Sequence, residues 1–182
     1  MKILLHTCCG PCSIYPLSRL REEGHQVTGF FYNPNIHPFR EFKKRLAAMR
    51  LLAEREDLPV IYDSKYGLQE YLRQVVFKEE ERCRICYALR LAQVARVAAE
   101  QGFEAFSTTL LYSRYQQHGE ICRQAEELAA SHGLIFYYED FRQGWQEGID
   151  RSLAMDLYRQ PYCGCIYSEQ ERYDKKMARK TG

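Results

Sequence analysis

Short apolar runs alternate with longer stretches of helical periodicity along nearly the whole chain. The apolar runs predict strands over 3–5, 27–32, 59–62, 104–110 and 134–138. The periodic stretches predict helices over 13–24, 42–57, 67–77, 81–101 and 117–132, followed by a mostly helical segment broken at 160–165. Such strand–helix–strand units form a mainly parallel sheet through right-handed crossovers, so the sequence predicts an α/β fold with flanking helices. The length suits a single domain, 1–182.

Three cysteines follow the first predicted strand, in the segment that leads into the first helix. Cys8, Cys9 and Cys12 lie there, and Ser13 is the predicted N-cap of the helix. Ligands of parallel sheets gather at the carboxyl ends of strands. A helix N-terminus also favours the thiolate, which is the form of cysteine that binds metals. We therefore interpret these three cysteines as candidate metal ligands rather than as packing residues.

Two closely spaced cysteine pairs occur further along the chain. Cys83 and Cys86 form a Cys-x-x-Cys at the start of a predicted helix, which places both side chains on one face a turn apart. That spacing serves zinc, iron–sulfur clusters and thiol–disulfide exchange equally well. Cys163-Gly164-Cys165 interrupts the C-terminal helices. Its glycine allows both sulfurs to face one centre or to form a reversible disulfide.

The number of clustered cysteines exceeds what a closed zinc site uses. Four of them would suffice for either one structural zinc or one [4Fe–4S] cluster: Cys8, Cys9, Cys83 and Cys86. Three more remain: Cys12, Cys163 and Cys165. This surplus favours an iron–sulfur centre with a second redox or metal element beside it. The eighth, Cys122, shares helical spacing with two alanines, and we expect it to be buried and outside the site.

Charge and hydropathy limit the classes of partner. A net charge of +2 argues against indiscriminate nucleic-acid binding but permits local basic patches. Two patches are predicted: Arg172, Lys175, Lys176, Arg179 and Lys180 on a C-terminal helix, and Arg40, Lys43, Lys44 and Arg45. Five tyrosines in or near the cysteine loops could stack on bases: Tyr32, Tyr112, Tyr115, Tyr162 and Tyr167. No apolar run suits a membrane span or a signal peptide, so we expect a cytoplasmic protein without a membrane partner.

Six segments, in order along the chain, resemble the QueH family of epoxyqueuosine reductases. They are LLHTCCGPCS (4–13), GFFYNPNIHP (29–38), RCRICY (82–87), TTLL (108–111), DFR (140–142) and YRQPYCGCIYS (158–168). The resemblance implies a Rossmann-like fold of the adenine-nucleotide hydrolase-like (HUP) group. It also implies reduction of the epoxide of epoxyqueuosine, at the wobble position of tRNA, to an alkene. One departure is visible, because the family often reads Ser-Pro-Tyr-Gln where this chain has Ser113-Arg114-Tyr115-Gln116.

The same resemblance implies roles for the cysteines. A [4Fe–4S] cluster would be held by Cys8, Cys9, Cys83 and Cys86. A second element, either a dithiol/disulfide pair or a further mononuclear iron, would involve Cys163 and Cys165, with Cys12 facing that second metal. The sequence has no Gly-x-Gly-x-x-Gly fingerprint for a dinucleotide, so electrons must come from an external donor.

Three other interpretations remain open at this stage. The first is a zinc-stabilised RNA-binding module without redox activity. The second is a nucleotide-activating enzyme of the PP-loop type, which the cysteine-rich first turn disfavours. The third is a thioredoxin-like oxidoreductase, disfavoured because Cys-x-x-Cys does not follow an early strand. For the reductase, the candidate proton donors are His6, His37, Tyr115 and His118.

Overall fold

The computed structural model describes residues 1–174. Its five strands are β1 Lys2–Thr7, β2 Gln26–Phe31, β3 Val60–Tyr62, β4 Ala105–Thr108 and β5 Ile135–Phe136. The α-helices of this part of the chain are α1 Gly10–Glu22, α2 Phe39–Arg55, α3 Leu68–Val75, α4 Arg82–Glu100, α5 His118–His132, α6 Trp145–Ala154 and α7 Ile166–Tyr173. Short 3₁₀ turns cover Glu79–Glu81, Thr109–Tyr112 and Phe141–Gly144.

All five strands are parallel, in the order β3-β2-β1-β4-β5. The chain first builds outward from β1 through β2 to β3, and then returns to the other side of β1 to add β4 and β5. The direction of strand addition therefore reverses between β1 and β4, which makes that junction the topological switch point of the sheet. The predicted α/β fold with a parallel, Rossmann-like sheet is confirmed.

The central strand β1 is covered on both faces. Ile3, Leu4 and Leu5 are completely buried, as expected for a strand that is apolar at successive positions. Helix α1 packs with α2 and α6, whereas α4 packs with α5. Within residues 1–174 no helix combines the length and the apolar character needed to cross a bilayer.

The structure corrects the predicted start of the first helix. Helix α1 begins at Gly10 with Cys9 as its N-cap, so Ser13 lies inside the helix. Pro11 fits the first turn, where a missing N–H leaves no helical bond unmade. A Cβ at Gly10 would approach the carbonyl oxygen of Ala48 to 2.7 Å, so glycine permits the close contact between α1 and α2. The Ser13 hydroxyl instead donates to the Cys9 carbonyl at 2.7 Å.

The fourth strand is shorter than predicted, because the chain turns immediately after Thr108. The Thr108 hydroxyl accepts a 3.2 Å hydrogen bond from the backbone N–H of Leu110, which caps the turn Thr109–Tyr112. The last strand is also shorter and spans only Ile135–Phe136. The predicted break in the C-terminal helices is present, between α6 and α7.

One predicted basic patch is partly wrong. Three of its members are exposed on α2: Arg40, Lys43 and Lys44. Arg45 is only 1% exposed and pairs with Glu41 at 2.7 Å, so it is not part of the surface. In the C-terminal patch Arg172 is exposed at the end of α7. The other members lie outside the described residues: Lys175, Lys176, Arg179 and Lys180.

Candidate metal centre and cleft

Three thiols converge where β1 meets α1. The sulfurs of Cys8, Cys9 and Cys12 all lie within 4.8 Å of one another, and those of Cys8 and Cys9 are 3.8 Å apart. Strand β1 ends at Thr7 and α1 begins at Gly10, so the first two cysteines occupy the turn and Cys12 lies in the first turn of the helix. Among residues 1–174 this is the one group of three or more Cys, His, Asp or Glu residues with ligand atoms this close.

The hydroxyl of Thr109, the residue that follows the neighbouring strand β4, contacts Cys8. Thr109, which follows β4, accepts a 3.2 Å hydrogen bond from the backbone N–H of Cys8 and donates to its sulfur at 3.4 Å. Strands β1 and β4 flank the switch point, and the crevice outside their carboxyl ends is where α/β proteins bind ligands. The cysteine group therefore lies where the topology favours a ligand.

The three thiols differ in the direction in which their surroundings shift the pKa. Hydrogen bonds from Cys12 and Cys9 lower the pKa of the Cys8 thiol well below its usual value, and Thr109 adds to the effect. Burial raises the pKa of Cys9, and the hydrogen bond to Cys8 raises that of Cys12. The hydrogen bonds around Cys8 thus favour its thiolate, the form that binds a metal ion.

The remaining clustered cysteines form a second group. Burial raises the pKa of Cys86 to about 12, with Arg90 opposing the increase and the charges of Cys163 and Cys165 adding to it. Burial also raises the pKa of Cys83, where the same two cysteines add to the increase. The start of α4 and the segment before α7 therefore bring these four thiols into electrostatic contact. Cys163 is exposed, whereas Cys86 and Cys165 are buried.

Arg45 holds the backbone of the C-terminal pair. Its guanidinium donates to the carbonyl of Cys163 at 2.7 Å and to that of Tyr162 at 2.8 Å, and its Nε donates to Glu41 at 2.7 Å. Gly164 has a φ of +152°, and a Cβ there would lie 3.3 Å from the Arg45 Nη1. The hydrogen bonds of the Arg45 side chain therefore orient this turn.

A second buried arginine faces both cysteine groups. Arg90 is 2% exposed, and its Nε donates to the Cys86 carbonyl at 3.2 Å. Its Nη2 has no hydrogen-bond partner among the described residues. Burial opposes the charge of this guanidinium, but negative charge on Cys86, Cys163 and Cys8 outweighs burial and raises its pKa. Arg90 is thus a buried cation that can be balanced by ionised sulfurs of both groups, although burial keeps Cys86 protonated near neutral pH.

A cleft of about 790 Å³ gives access to three of the sulfurs. Cys8, Cys12 and Cys163 line it, whereas the other clustered cysteines do not. Two side-chain amides face these thiols, because Gln160 donates to the Cys12 sulfur at 3.0 Å and Gln116 donates to the Cys163 sulfur at 3.2 Å. The cleft volume suits a nucleoside-sized ligand.

Some of the other predicted site residues line the cleft, and others lie away from it. Tyr112, Tyr115 and Tyr162 line it. The Tyr32 hydroxyl donates to Glu70 at 3.0 Å, and the Tyr167 ring lies 5.7 Å from the Arg82 guanidinium. Of the four candidate proton donors, only Tyr115 lines the cleft; the others are His6, His37 and His118. Cys122 is partly buried against the core, outside the site.

Burial makes two of these histidines poor acids. It lowers the pKa of His6 to about 4 and that of His37 to about 4. The His6 ring lies within hydrogen-bonding distance of the Thr108 hydroxyl at 2.9 Å and of the Tyr32 carbonyl at 3.1 Å. Both rings are therefore neutral near pH 7 and serve as internal hydrogen-bonding groups.

Sequence reasoning missed Arg90 and Trp145. Arg90 occupies the buried face of α4 between Cys86 and Val94, so a charge at an apolar helical position was the available signal. Trp145 begins α6 and lines the cleft, and no local pattern distinguishes it from a core residue.

The donor set fits a soft-metal centre. Three thiols converge at the start of α1 and four more form a second group, and thiolates are the preferred ligands of iron–sulfur clusters and zinc. The lowered pKa of Cys8 and the buried cation at Arg90 both suit a centre of net negative charge.

Known proteins resemble this chain along nearly its whole length. The profile of a family described as epoxyqueuosine reductase QueH matches residues 3–171. The epoxyqueuosine reductase QueH of Dehalococcoides mccartyi is 42% identical over 174 residues, which cover 96% of each chain. That of Thermotoga maritima is 34% identical over 192 residues, covering 99% of this chain and 97% of its own. That of Acinetobacter baylyi is 35% identical, covering 92% of this chain and 80% of its own.

Proposed function

Because this chain belongs to the QueH family of epoxyqueuosine reductases, we propose that it reduces the epoxide of epoxyqueuosine at the wobble position of a tRNA, giving the alkene of queuosine. The observation that carries the proposal is the cleft that Cys8, Cys12 and Cys163 line at the switch point of the sheet. The whole chain, 1–182, would act as a single metal-binding unit. Its reaction class is that of an oxidoreductase acting on RNA.

The proposed cofactor is a [4Fe–4S] cluster held by Cys8, Cys9, Cys83 and Cys86. When bound, such a cluster would transfer electrons one at a time, at a potential set by its surroundings. The thiolate character of Cys8 and the charge of Arg90 support an anionic centre at this position. Cys9, Cys83 and Cys86 do not line the cleft, which suits ligands that hold a centre behind the substrate.

Cys12, Cys163 and Cys165 would form the second element, as a redox-active dithiol or as ligands of a further iron. Cys12 and Cys163 line the cleft, where they could reach a substrate. Gln160 and Gln116 each direct an amide N–H at one of these sulfurs, which helps to orient the two side chains. Arg45 fixes the position of Cys163 through its backbone carbonyl.

The overall conversion takes up two electrons and two protons. Both carbon–oxygen bonds of the epoxide break, a carbon–carbon double bond forms, and the oxygen leaves as water. An external electron carrier would supply the electrons, since the chain has no dinucleotide fingerprint. Hydrogen-bond donors on the wall of the cleft would orient the epoxide oxygen.

The decisive experiment is anaerobic purification followed by iron, sulfide and zinc analysis and an assay on tRNA containing epoxyqueuosine. We expect about four sulfides with four or five irons per chain, a broad absorbance band near ~400 nm, and conversion to queuosine with a chemical reductant. One zinc without sulfide, and no conversion, would contradict the proposal and favour a zinc-stabilised RNA-binding module.

Two substitutions separate the proposed groups of cysteines. Cys83→Ser should reduce the iron and sulfide content and the absorbance band. Cys163→Ser should abolish conversion while the [4Fe–4S] absorbance remains. Cys122→Ser is the matched control, because this cysteine packs against the core outside the cleft and should behave like the wild type. Loss of the whole cluster in Cys163→Ser would show that the ligands are assigned incorrectly.

A further inference from the structure

An exposed aromatic ring stands at the rim of the cleft. Tyr115 is 84% exposed although it lines the same cleft as the three thiols. Its backbone N–H donates to the Ser113 hydroxyl at 3.2 Å, which fixes the turn that carries it. The ring therefore points into solvent beside the route to Cys163, with one aromatic face available to a ligand.

Trp145 supports this ring from the side. The two ring centroids are 5.9 Å apart, with the planes at 76°, so Trp145 contacts Tyr115 edge to face. The guanidinium of Arg114 lies 5.6 Å from the Trp145 ring centroid. Arg114 is the residue that stands where the family often has proline, so the departure in sequence adds a cation to this aromatic group.

Trp145 is itself held rigidly. The Tyr112 ring stacks on it at 5.2 Å and 27°, and the Tyr112 hydroxyl donates to the Trp145 carbonyl at 2.9 Å. A Cβ at Gly148 would lie 2.2 Å from the Tyr112 oxygen, so glycine is required for this packing. A pre-organised aromatic wall of this kind loses little conformational entropy when a ligand stacks on it.

The charge around the wall suits RNA. Three arginines line the cleft: Arg90, Arg159 and Arg172. The one carboxylate among the lining residues is Glu171, which pairs with Arg82. The positions of α6 that face the cleft are uncharged: Trp145, Gly148, Ile149 and Ser152. An aromatic face bordered by cations is the usual surface on which an unpaired base of an RNA loop stacks.

We propose that Tyr115, supported by Trp145 and Arg114, is the stacking site for an unpaired nucleobase adjacent to the modified nucleotide. This inference rests on the proposed function and assigns a specificity element to the same cleft. A nucleotide that enters the cleft must leave the base stack of its loop, which uncovers a face of its neighbour. Tyr115 lies at the rim and covers that face while the modified nucleoside reaches the thiols.

The test uses two stem–loop RNAs that carry epoxyqueuosine at the wobble position. One has 2-aminopurine on the 5′ side and the other on the 3′ side, because stacking quenches the fluorescence of this base. Anaerobically purified wild-type protein should quench one of the two probes. Tyr115→Ala should abolish the quenching and weaken binding about tenfold, since base–aromatic stacking is worth about 1–3 kcal/mol. Tyr115→Phe keeps the ring and should retain both properties.

Tyr138→Ala is the matched control. Tyr138 is also exposed, at 51%, but it does not line the cleft, and its removal should leave quenching and affinity unchanged. Equal affinity of the wild type and Tyr115→Ala, or equal loss in Tyr115→Phe and Tyr115→Ala, would overturn the stacking site.

The proposed reaction is followed separately. Conversion of the RNA without quenching of either probe overturns the stacking site and leaves the reductase function in place. Quenching that depends on Tyr115, without any conversion, supports the stacking site and contradicts the reductase function.

Discussion

The guanidinium of Arg45 donates a 2.7 Å hydrogen bond to the backbone carbonyl of Cys163, 118 residues further along the chain. A second bond, to the carbonyl of Tyr162, makes the contact a fork that spans two successive peptide groups. The same arginine pairs with the buried carboxylate of Glu41. One side chain of α2 therefore determines where the cleft thiol lies.

Replacement of this arginine should destabilise the protein. Arg45→Met leaves Glu41 buried without its ionic partner and frees two carbonyls, so we expect a loss of roughly 3–5 kcal/mol in the free energy of unfolding. Urea unfolding of the metal-free protein under reducing conditions measures it. Arg40→Met, at an exposed position of the same helix, should change stability by less than about 0.5 kcal/mol. A loss for Arg45→Met as small as the loss for Arg40→Met would mean that the fork is not a stabilising contact.

Gly164→Ala should disturb the turn that Arg45 holds, by adding a side chain within the turn itself. The residue has a φ of +152°, and a new Cβ would lie 3.0 Å from the Asn35 amide nitrogen and 3.3 Å from Arg45. We expect strain of about 1–3 kcal/mol and a decrease in turnover, because Cys163 and Cys165 would move together. Gly119→Ala is the control, since a Cβ there meets nothing within 4 Å. Wild-type turnover in Gly164→Ala would show that the turn tolerates displacement.

The stability of the protein should fall in mild acid because of His37. This ring is 1% exposed, its Nε2 lies 3.0 Å from the Pro34 carbonyl, and burial lowers its pKa to about 4. An unfolded histidine titrates near ~6.5, so between about pH 6.5 and 4 the unfolded chain binds more protons than the folded one. The free energy of unfolding therefore decreases as the pH falls through this window, by at most about 3 kcal/mol.

His37→Gln removes that titration. Its unfolding free energy should depend less steeply on pH than that of the wild type between pH 6.5 and 4, whatever its absolute stability. Parallel pH profiles for His37→Gln and the wild type would exclude His37 as the source of the acid sensitivity.

Arg90→Met should act oppositely on the metal-free and the metal-bound protein. Without a metal, the variant loses a buried cation that has one unpartnered nitrogen within residues 1–174, so its stability should be unchanged or higher. With an anionic thiolate centre, the variant loses the compensating charge and should retain less iron after passage over a chelating column. Arg96→Met, exposed on the same helix, should match the wild type in both measurements. Equal iron retention by Arg90→Met and the wild type would contradict the counter-charge role.

Local sequence patterns determined the architecture. The apolar run at Ile3–Leu5 and the helical periodicity around it predict a buried strand followed by a helix, and these patterns depend only on neighbours within a few residues. They also place Cys8 and Cys9 at the carboxyl edge of the sheet, because that edge follows from a parallel topology. The turns were less predictable, since side-chain bonds such as that of Thr108 to Leu110 decide where a strand ends.

Only the tertiary structure decided what surrounds the thiols. Arg45 has the sequence context of a basic surface patch. Packing between α2 and the segment before α7 nevertheless buries it, and its guanidinium donates to the backbone carbonyl of Cys163. Arg90 and Trp145 join the site for the same reason. A side chain's charge and periodicity are local properties, whereas its partner depends on how elements more than a hundred residues apart come together. The sequence by itself therefore identified the clustered thiols as candidate metal ligands, and the fold determined which groups contact their backbone, lie near their sulfurs and line the cleft.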